Sequence, residues 1–330
     1  MTLSLPPGRY VVLGASGLLG THLLARLGGI PGVRLRAASR RPAPGAAAAG
    51  AEWMPCDLAD PAQAAAAVAD CDGAFIAAGV LATAPVLARD PVGPVLANLR
   101  VVTNALEAAW RAGVEKCLWV SSTTGYPPLE ETLSEARMDE GDPPPGWYGI
   151  GWVTRFLERQ CRWYAEALPR KMRVATIRPT MIYGEHDHFE EASAHFLPSL
   201  IRRVVARERP IEVWGTGEQT RDLIHADDVA RAAILAMAHP GDFGAWNVGA
   251  GESRSVNDCL HLLLELDNFA DAEVTHLLER PTSISHRRFD TSLAAADLGF
   301  APQIGLREGL RRTLAWYRAH HESTAAVAAH

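Results

Sequence analysis

Short apolar runs alternate with helical stretches along the first half of the chain. Tyr10–Leu13, Ala74–Ala78, Cys117–Val120 and Val174–Ile177 are strand-length apolar runs, and Val33–Ala38 reads as a further strand. Continuous apolar composition of that kind suits a strand buried on both faces. Between them, Leu18–Leu27, Pro61–Ala69, Val95–Ala112 and Tyr148–Ala167 carry helical patterns. Strands alternating with helices predict a parallel sheet with right-handed crossovers. In the second half, helices are expected at about Ala194–Ala206, Asp227–Ala238, Val256–Leu266 and Leu306–Ala319, separated by short strands. Arg41–Ala51 and Tyr126–Trp147 read as loops. The second holds Pro127, Pro128, Pro143, Pro144 and Pro145, and a loop that long between a strand and a helix is expected to cover a site. The Ala-rich tail from Glu322 is expected to fray.

Composition narrows the class. The 330 residues, 48% apolar, suffice for one large α/β domain and a smaller lobe. No apolar run reaches membrane-spanning length, and Met1–Arg9 lacks the basic segment and apolar core of a signal peptide. The expected location is the cytoplasm. The cysteines, Cys56, Cys71, Cys117, Cys161 and Cys259, are odd in number and form no CxxC pair, so reduced thiols are expected, with neither a disulfide framework nor a metal site. A net charge of -6 without a long basic run argues against a nucleic-acid partner. A few placed arginines still suffice for an anionic small ligand. Only two lysines are present, Lys116 and Lys171.

The first strand–helix junction carries Gly14-Ala15-Ser16-Gly17-Leu18-Leu19-Gly20. Glycines there permit a tight turn and let backbone approach a pyrophosphate, which sits on the helix N-terminus. Ser16 and Leu18 belong to the same cradle. At the end of the second strand an acidic residue would bind the ribose hydroxyls of NAD; here Ser39-Arg40-Arg41 stand instead. Two guanidiniums suit a 2′-phosphate, so NADP(H) is expected, with NAD as the alternative, and solvent-facing arginines as the plain reading. Asp57, after the next short strand, is placed to accept from the adenine amino group. These features define an α/β fold of the Rossmann type, a doubly wound parallel sheet.

From about Tyr10 to Arg318 the chain resembles the extended short-chain dehydrogenases/reductases, the nucleotide-sugar epimerase, dehydratase and reductase group. The motifs occur in order: Gly14–Gly20; Asp57-Leu58; Ala77-Ala78-Gly79 ending the third strand; Asn98 on the long helix; Ser121-Ser122-Thr123; and Arg178-Pro179-Thr180-Met181-Ile182-Tyr183-Gly184. Trp214-Gly215-Thr216-Gly217, Arg221-Asp222, Asp227-Asp228, Trp246-Asn247-Val248-Gly249 and Asp290-Thr291-Ser292 follow. Ser122–Pro127 and Tyr148–Gly151 are most similar to GDP-fucose synthase-like members. The resemblance implies a dinucleotide domain, 9–178 plus about 223–248, a smaller C-terminal substrate-binding lobe, 179–222 plus 249–322, and a tail, 323–330. It implies cofactor contacts from the cradle, Asp57, Leu58, Ala77, Ala78, Gly79, Asn98, Tyr148, Arg178 and Pro179. It also implies a homodimer through the two long helices, for which Leu99, Val102, Leu106 and Ala109 offer an apolar stripe.

The resemblance assigns Ser122, with Thr123 as alternative, to hydrogen-bond a carbonyl, and Tyr148 to the acid/base role. It departs in one place. A lysine stands four residues after the tyrosine in the family; here that residue is Trp152, and the nearest cation on the helical face is Arg155. Three readings follow: the tyrosine acts with another cation's help, another group moves the proton, or the chain binds without turnover. Thr123-Thr124 stand where dehydratases carry acidic residues, which disfavours dehydration.

For the substrate, a nucleotide diphosphate needs two or more cations. Arg221, Arg287 and Arg288 are candidates, with Thr180 and Trp214 beside them, although Trp214 and Trp246 also suit the lobe core. Glu185-His186-Asp187-His188 is read as a ligand-facing or solvent loop and not a metal site. His225 is read as structural and Asp227-Asp228 as a helix cap. The expected activity is NADP(H)-dependent reduction of a 4-keto-6-deoxysugar nucleotide. The alternatives are epimerisation and a non-catalytic NADP-binding sensor or scaffold.

Overall fold

The computed structural model describes residues 3–190, 194–280 and 285–328, with side chains to His320. Seven parallel strands form the central sheet: β1 (Gly8–Leu13), β2 (Val33–Ser39), β3 (Glu52–Pro55), β4 (Gly73–Ile76), β5 (Lys116–Val120), β7 (Arg173–Pro179) and β11 (Phe243–Val248). The smaller strands are β6 (Thr132–Leu133), β8 (Met181–Tyr183), β9 (Ile211–Trp214), β10 (Thr220–His225), β12 (Ser253–Ser255), β13 (Val274–Leu277) and β14 (Arg288–Phe289). The helices are α1 (Leu18–Leu27), α2 (Pro61–Val68), α3 (Ala84–Arg89), α4 (Gly93–Ala112), α5 (Tyr148–Glu166), α6 (Phe196–Val205), α7 (Ala226–Ala238), α8 (Val256–Leu266), α9 (Ser292–Leu298) and α10 (Leu306–Ala328).

The sheet order is β3-β2-β1-β4-β5-β7-β11, so the winding reverses between β1 and β4. Ligands of such sheets bind in the crevice at that reversal, beyond the strands' carboxyl ends. The alternation of side chains along β1 serves both faces: Tyr10 and Val12 join the layer with α1 and α7, while Val11 and Leu13 join the layer with α2, α4 and α5. A separate apolar cluster under α6, α8 and α10, including Leu200, Ile201, Leu260, Leu263 and Leu310, supports β9 and β10. Gly113, in the left-handed region at φ +83°, stops α4 and turns the chain into β5.

Four expectations change. The loop 126–147 holds a short strand, β6, paired with β14, because Tyr126, Leu133, Met138 and Phe289 form a small core of their own. Helices α3 and α9 were not foreseen; α3 is one short segment with no buried residue, so it leaves no apolar periodicity to read. The last helix continues to Ala328, past the expected end at Ala319. The stripe offered for dimerisation points inward: Val102, Leu106 and Ala109 are buried in the α2/α4/α5 layer, and Leu99 packs against it. The exposed apolar side chains of these helices are Leu96 on α4 and Trp152, Phe156 and Trp163 on α5. No helix among the described residues is long and apolar enough to cross a membrane. All five cysteines are free and buried.

Candidate active site

The glycine cradle is shaped by close backbone approach. Gly14 has φ +88°, and a Cβ there would stand 2.7 Å from the Ala78 backbone; a Cβ on Gly20 would stand 2.2 Å from the Gly14 carbonyl oxygen. A side chain at either position would force the surrounding backbone to shift. Gly17 is the N-cap of α1 and supplies no side-chain cap, so the first-turn N–H groups face the crevice without a side-chain partner. That arrangement fits a pyrophosphate, because an anion there satisfies those donors and meets the positive end of the helix. Ser16, Gly17 and Leu18 are half-buried around it, and Ala77, Ala78 and Gly79 follow β4 on the other side of the crevice. Asn98 pins that stretch: its Nδ2 donates to Val80 O and Pro94 O, both at 2.8 Å, and its Oδ1 accepts from Val80 N at 3.0 Å. Its amide shapes the crevice wall.

Arg40 and Arg41 are exposed beyond β2. The Ser39 hydroxyl donates to Arg41 O at 2.7 Å and the Trp53 indole donates to the same carbonyl at 3.2 Å, which fixes the turn that presents the two guanidiniums. Asp57 is exposed and caps its own turn by accepting from Ala59 N; Leu58 is buried.

At the end of β5 the two serines divide their work. Ser121 is buried and donates to Glu158 Oε1 at 2.6 Å. Ser122 is half-buried; its Oγ accepts from Thr124 N at 3.1 Å and from Thr124 Oγ1 at 3.0 Å. The Thr123 carbonyl accepts from Arg287 Nη2 at 2.6 Å. Tyr148 opens α5 and is 51% exposed, and Trp152 one turn on is 43% exposed, their rings edge to face with centroids 6.4 Å apart. Neither lysine takes the missing place. Lys116 begins β5 at the far end of the strand from Ser122 and donates to His239 O, and Lys171 is exposed beyond α5. Arg155 turns away from Tyr148: its Nε donates to Gly125 O at 2.7 Å, Nη1 to Gly141 O at 2.6 Å and Nη2 to Glu140 O at 3.2 Å.

The Arg178 guanidinium is engaged in a buried network, with Nε and Nη2 on the Glu158 carboxylate at 2.5–3.1 Å, and Nη1 donating to Tyr126 Oη at 2.8 Å and Glu135 O at 3.0 Å. Tyr126 donates on to Asn247 Oδ1 at 2.6 Å, and Asn247 Nδ2 donates to Leu133 O and Asp290 O. Burial pushes the Tyr126 phenol up to about 12. The network ties β5, α5, β7, β11 and the loop after β5 into one unit. Tyr126 and Asn247 stand in motifs visible in the sequence, but Glu158 carries no signal there: it is one acidic residue among several on a helix. Pro179 and Thr180 are buried, and Thr180 Oγ1 donates to Asp222 Oδ1 at 3.1 Å.

Of the substrate candidates, Arg221 and Arg287 come together. Burial, with the charge of Arg221 added to it, brings the Arg287 guanidinium down to about 10, and its Nε has no hydrogen-bond partner among the described residues. Two like charges held in a partly desolvated cleft are stabilised by an anion between them. A separate cleft of about 440 Å³ is lined by Gly215, Thr216, Glu218, Gln219, Arg280 and His286. Trp214 is exposed, with the Arg280 guanidinium over its ring at 5.3 Å. Trp246 is core, its indole donating to Asp297 Oδ2. Arg288 is exposed on β14. A larger cleft of about 760 Å³ lies between α8 and α10, where Arg254, Arg307 and Arg311 are paired with Glu252, Glu265 and Glu308.

The loop after β8 is structural at its start. Glu185 accepts from Arg312 Nε at 2.9 Å and lies 3.0 Å from His225 Nε2, with His22 at 3.7 Å. His225, and not the aspartate pair, caps α7, through Nδ1 accepting from Asp227 N. Asp227 instead accepts from Arg26 Nε at 2.7 Å, and Asp228 accepts from Gln303 N and Ile304 N. Among the described residues no His, Cys, Asp or Glu group is arranged to hold a metal.

The model of the NAD dependent epimerase/dehydratase family matches residues 10–249. The chain belongs to that family. It is thereby an NAD(P)-dependent enzyme of the nucleotide-sugar-modifying group. It is 30% identical over 227 residues to putative GDP-L-fucose synthase 2 of Arabidopsis thaliana, covering 67% of each chain. It is 29% identical over 230 residues to the dTDP-4-dehydro-6-deoxy-D-allose reductase of a Streptomyces species, covering 68% of this chain and 67% of that one. Among solved structures, MoeE5 in complex with UDP-glucose and NAD superposes with a TM-score of 0.81 at 26% identity, covering 95% of this chain and all of that one (100%).

Proposed function

We propose that the protein is an NADP(H)-dependent reductase of nucleotide-diphosphate sugars, acting on a 4-keto-6-deoxysugar. The observation that carries this reading is the bond from Arg287 to the Thr123 carbonyl. It brings a cation of the C-terminal lobe, with Arg221 beside it, onto the turn that presents Ser122. A diphosphate held by the two arginines delivers its sugar to that turn. Ser122 hydrogen-bonds the sugar carbonyl and Tyr148 gives it a proton. The cofactor, with its pyrophosphate held in the cradle, would supply the hydride from its nicotinamide. Arg40 and Arg41, with no carboxylate at the end of β2, favour the 2′-phosphate of NADPH. Names among the relatives support the substrate class, since GDP-L-fucose synthases and a dTDP-4-keto sugar reductase stand there. Reduction is ranked over epimerisation because it uses the protonated phenol. Epimerisation must first take a proton from a hydroxyl, a step helped by the ammonium that Trp152 replaces. Leu96, Trp152, Phe156 and Trp163 supply the face through which two copies pair.

The test is turnover of GDP-, dTDP- and UDP-linked 4-keto-6-deoxysugars with NADPH or NADH, followed by nicotinamide absorbance. Oxidation of NADPH in preference to NADH is expected. Tyr148→Phe abolishes turnover and leaves cofactor binding intact. Arg287→Ala weakens nucleoside-diphosphate binding by about 1.5–3 kcal/mol, roughly ten- to a hundred-fold. Interconversion of sugars without net oxidation of cofactor would identify an epimerase. Tight binding with no turnover would identify a sensor or scaffold.

A further inference from the structure

We infer that Arg155, lidded by Trp152, is the positioning residue of the reactive centre, and that a cation at position 152 is incompatible with it. Its catalytic consequence rests on the reductase reading; its structural content rests on geometry alone.

Arg155 is 3% exposed. Its three carbonyl partners lie at the two ends of one loop. Gly125 closes the short turn begun by Ser122, and Glu140-Gly141 precede the proline run that leads into Trp147 and Tyr148. One guanidinium therefore fixes where the chain leaves Ser122 and where it returns to Tyr148. The helix is fitted to this loop at close range. A Cβ on Gly151 would stand 2.4 Å from Pro143 Cβ and 2.9 Å from Thr124 O, and one on Gly125 would stand 2.3 Å from Met138 Cε. No salt bridge to Arg155 occurs among the described side chains, so its charge is met by carbonyl dipoles, with Asp139 and Asp142 at longer range. The Trp152 indole lies over the guanidinium, 4.9 Å from Cζ to the ring centroid, and also packs edge to face with the Tyr148 ring, centroids 6.4 Å apart. An indole face attracts a cation. An ammonium in the same place would repel a buried guanidinium lacking a carboxylate partner. Arg155 is the buried arginine of α5, whereas Arg159 on the same side is exposed and paired with Asp139. Arg155 thus fixes the Ser122 turn and the Tyr148 helix start against each other, and aromatic contact carries that order to the phenol.

The experiment uses the full-length chain and four variants, Arg155→Gln, Arg155→Lys, Trp152→Phe and Trp152→Lys, read by amide hydrogen exchange and by steady-state kinetics. Arg155→Gln is expected to speed exchange about ten-fold or more at both 122–126 and 140–148 together, with the β1–α1 amides unchanged. It lowers kcat about ten-fold or more, with KM for NADPH within about two-fold. Arg155→Lys, which keeps the charge and part of the hydrogen bonding, restores part of both. Trp152→Phe, which keeps a ring face over the guanidinium, loses less of both than Trp152→Lys. Trp152→Lys resembles Arg155→Gln. Release of one loop end without the other, unchanged exchange at both, or a gain of activity in Trp152→Lys overturns the inference. If the wild-type chain turns over no sugar nucleotide, the reductase reading falls. The exchange measurements still decide whether Arg155 clamps the loop.

Discussion

The glycine turn proposed as the phosphate cradle and the proposed reactive centre are built by opposite means. The cradle depends on missing atoms: Gly14 and Gly20 are required because any Cβ would strike backbone at 2.7 Å and 2.2 Å. The reactive centre depends on partners that must be present. Ser121, Glu158, Arg178, Tyr126 and Asn247 hold it from one side and Arg155 from the other. A region defined by what is excluded tolerates few residue types and announces itself in a local motif. A region defined by assembled partners accommodates an exchange such as lysine to tryptophan, provided the surrounding contacts change with it.

The sharpest way to break the comparison is to remove a partner from the reactive side. Glu158→Ala strands Arg178 as an uncompensated buried charge and frees Ser121, with side chains in the pair only 7% and 8% exposed. Loss of one partner of a buried pair costs about 3–5 kcal/mol. Chemical denaturation should show a loss of that size, with exchange rising first around β5 and α5. A loss comparable to a surface substitution would mean that the network does not hold this side together.

Acid should act on the other side. Burial pulls His22, on α1, down to about 4 from its ordinary 6.5. Between those values the unfolded chain binds more protons than the folded one, so stability falls as pH is lowered from 6.5 to about 4, and this group contributes no further loss below that. The shift corresponds to an effect of up to about 3 kcal/mol. Burial opposes ionisation of Glu185, but the His225 hydrogen bond and the nearby Arg312 charge hold it down to about 2, so its contribution fades from pH 4.5 downward. Denaturation midpoints across pH 4–7 should slope in the wild type and flatten in His22→Gln. An unchanged slope in that variant would remove His22 as the cause.

The smallest effect on stability is expected from Gly20→Ala, an added methyl against backbone, at about 1–3 kcal/mol. Its effect on function is expected to be disproportionate, because the displaced turn is the proposed seat of the cofactor. NADPH fluorescence titration should show binding lost while the fold persists. If Gly20→Ala binds NADPH normally, the cradle is not the seat of the cofactor.

Much of this protein was legible from the order of its residues. The alternating apolar runs determined the parallel sheet, since strands buried on both faces must be continuously apolar. The glycine spacing marked the cradle, since only glycine allows backbone to approach so closely. The serine turn at the end of β5 and Tyr148 at the start of α5 were picked out by the motifs that resemble the family, not by any pattern of their own. The tertiary structure alone decided how polar side chains pair. It paired Arg178 with Glu158, drew Arg155 to Gly125 and Gly141, set Arg287 on Thr123 beside Arg221, and buried the α4 stripe offered for pairing while exposing Trp152, Phe156 and Trp163. Apolar periodicity is local and repeats within a few residues. A buried guanidinium finds its partner wherever the fold brings an uncompensated oxygen within hydrogen-bond reach, and for Arg287 and Thr123 that oxygen lies 164 residues away along the chain.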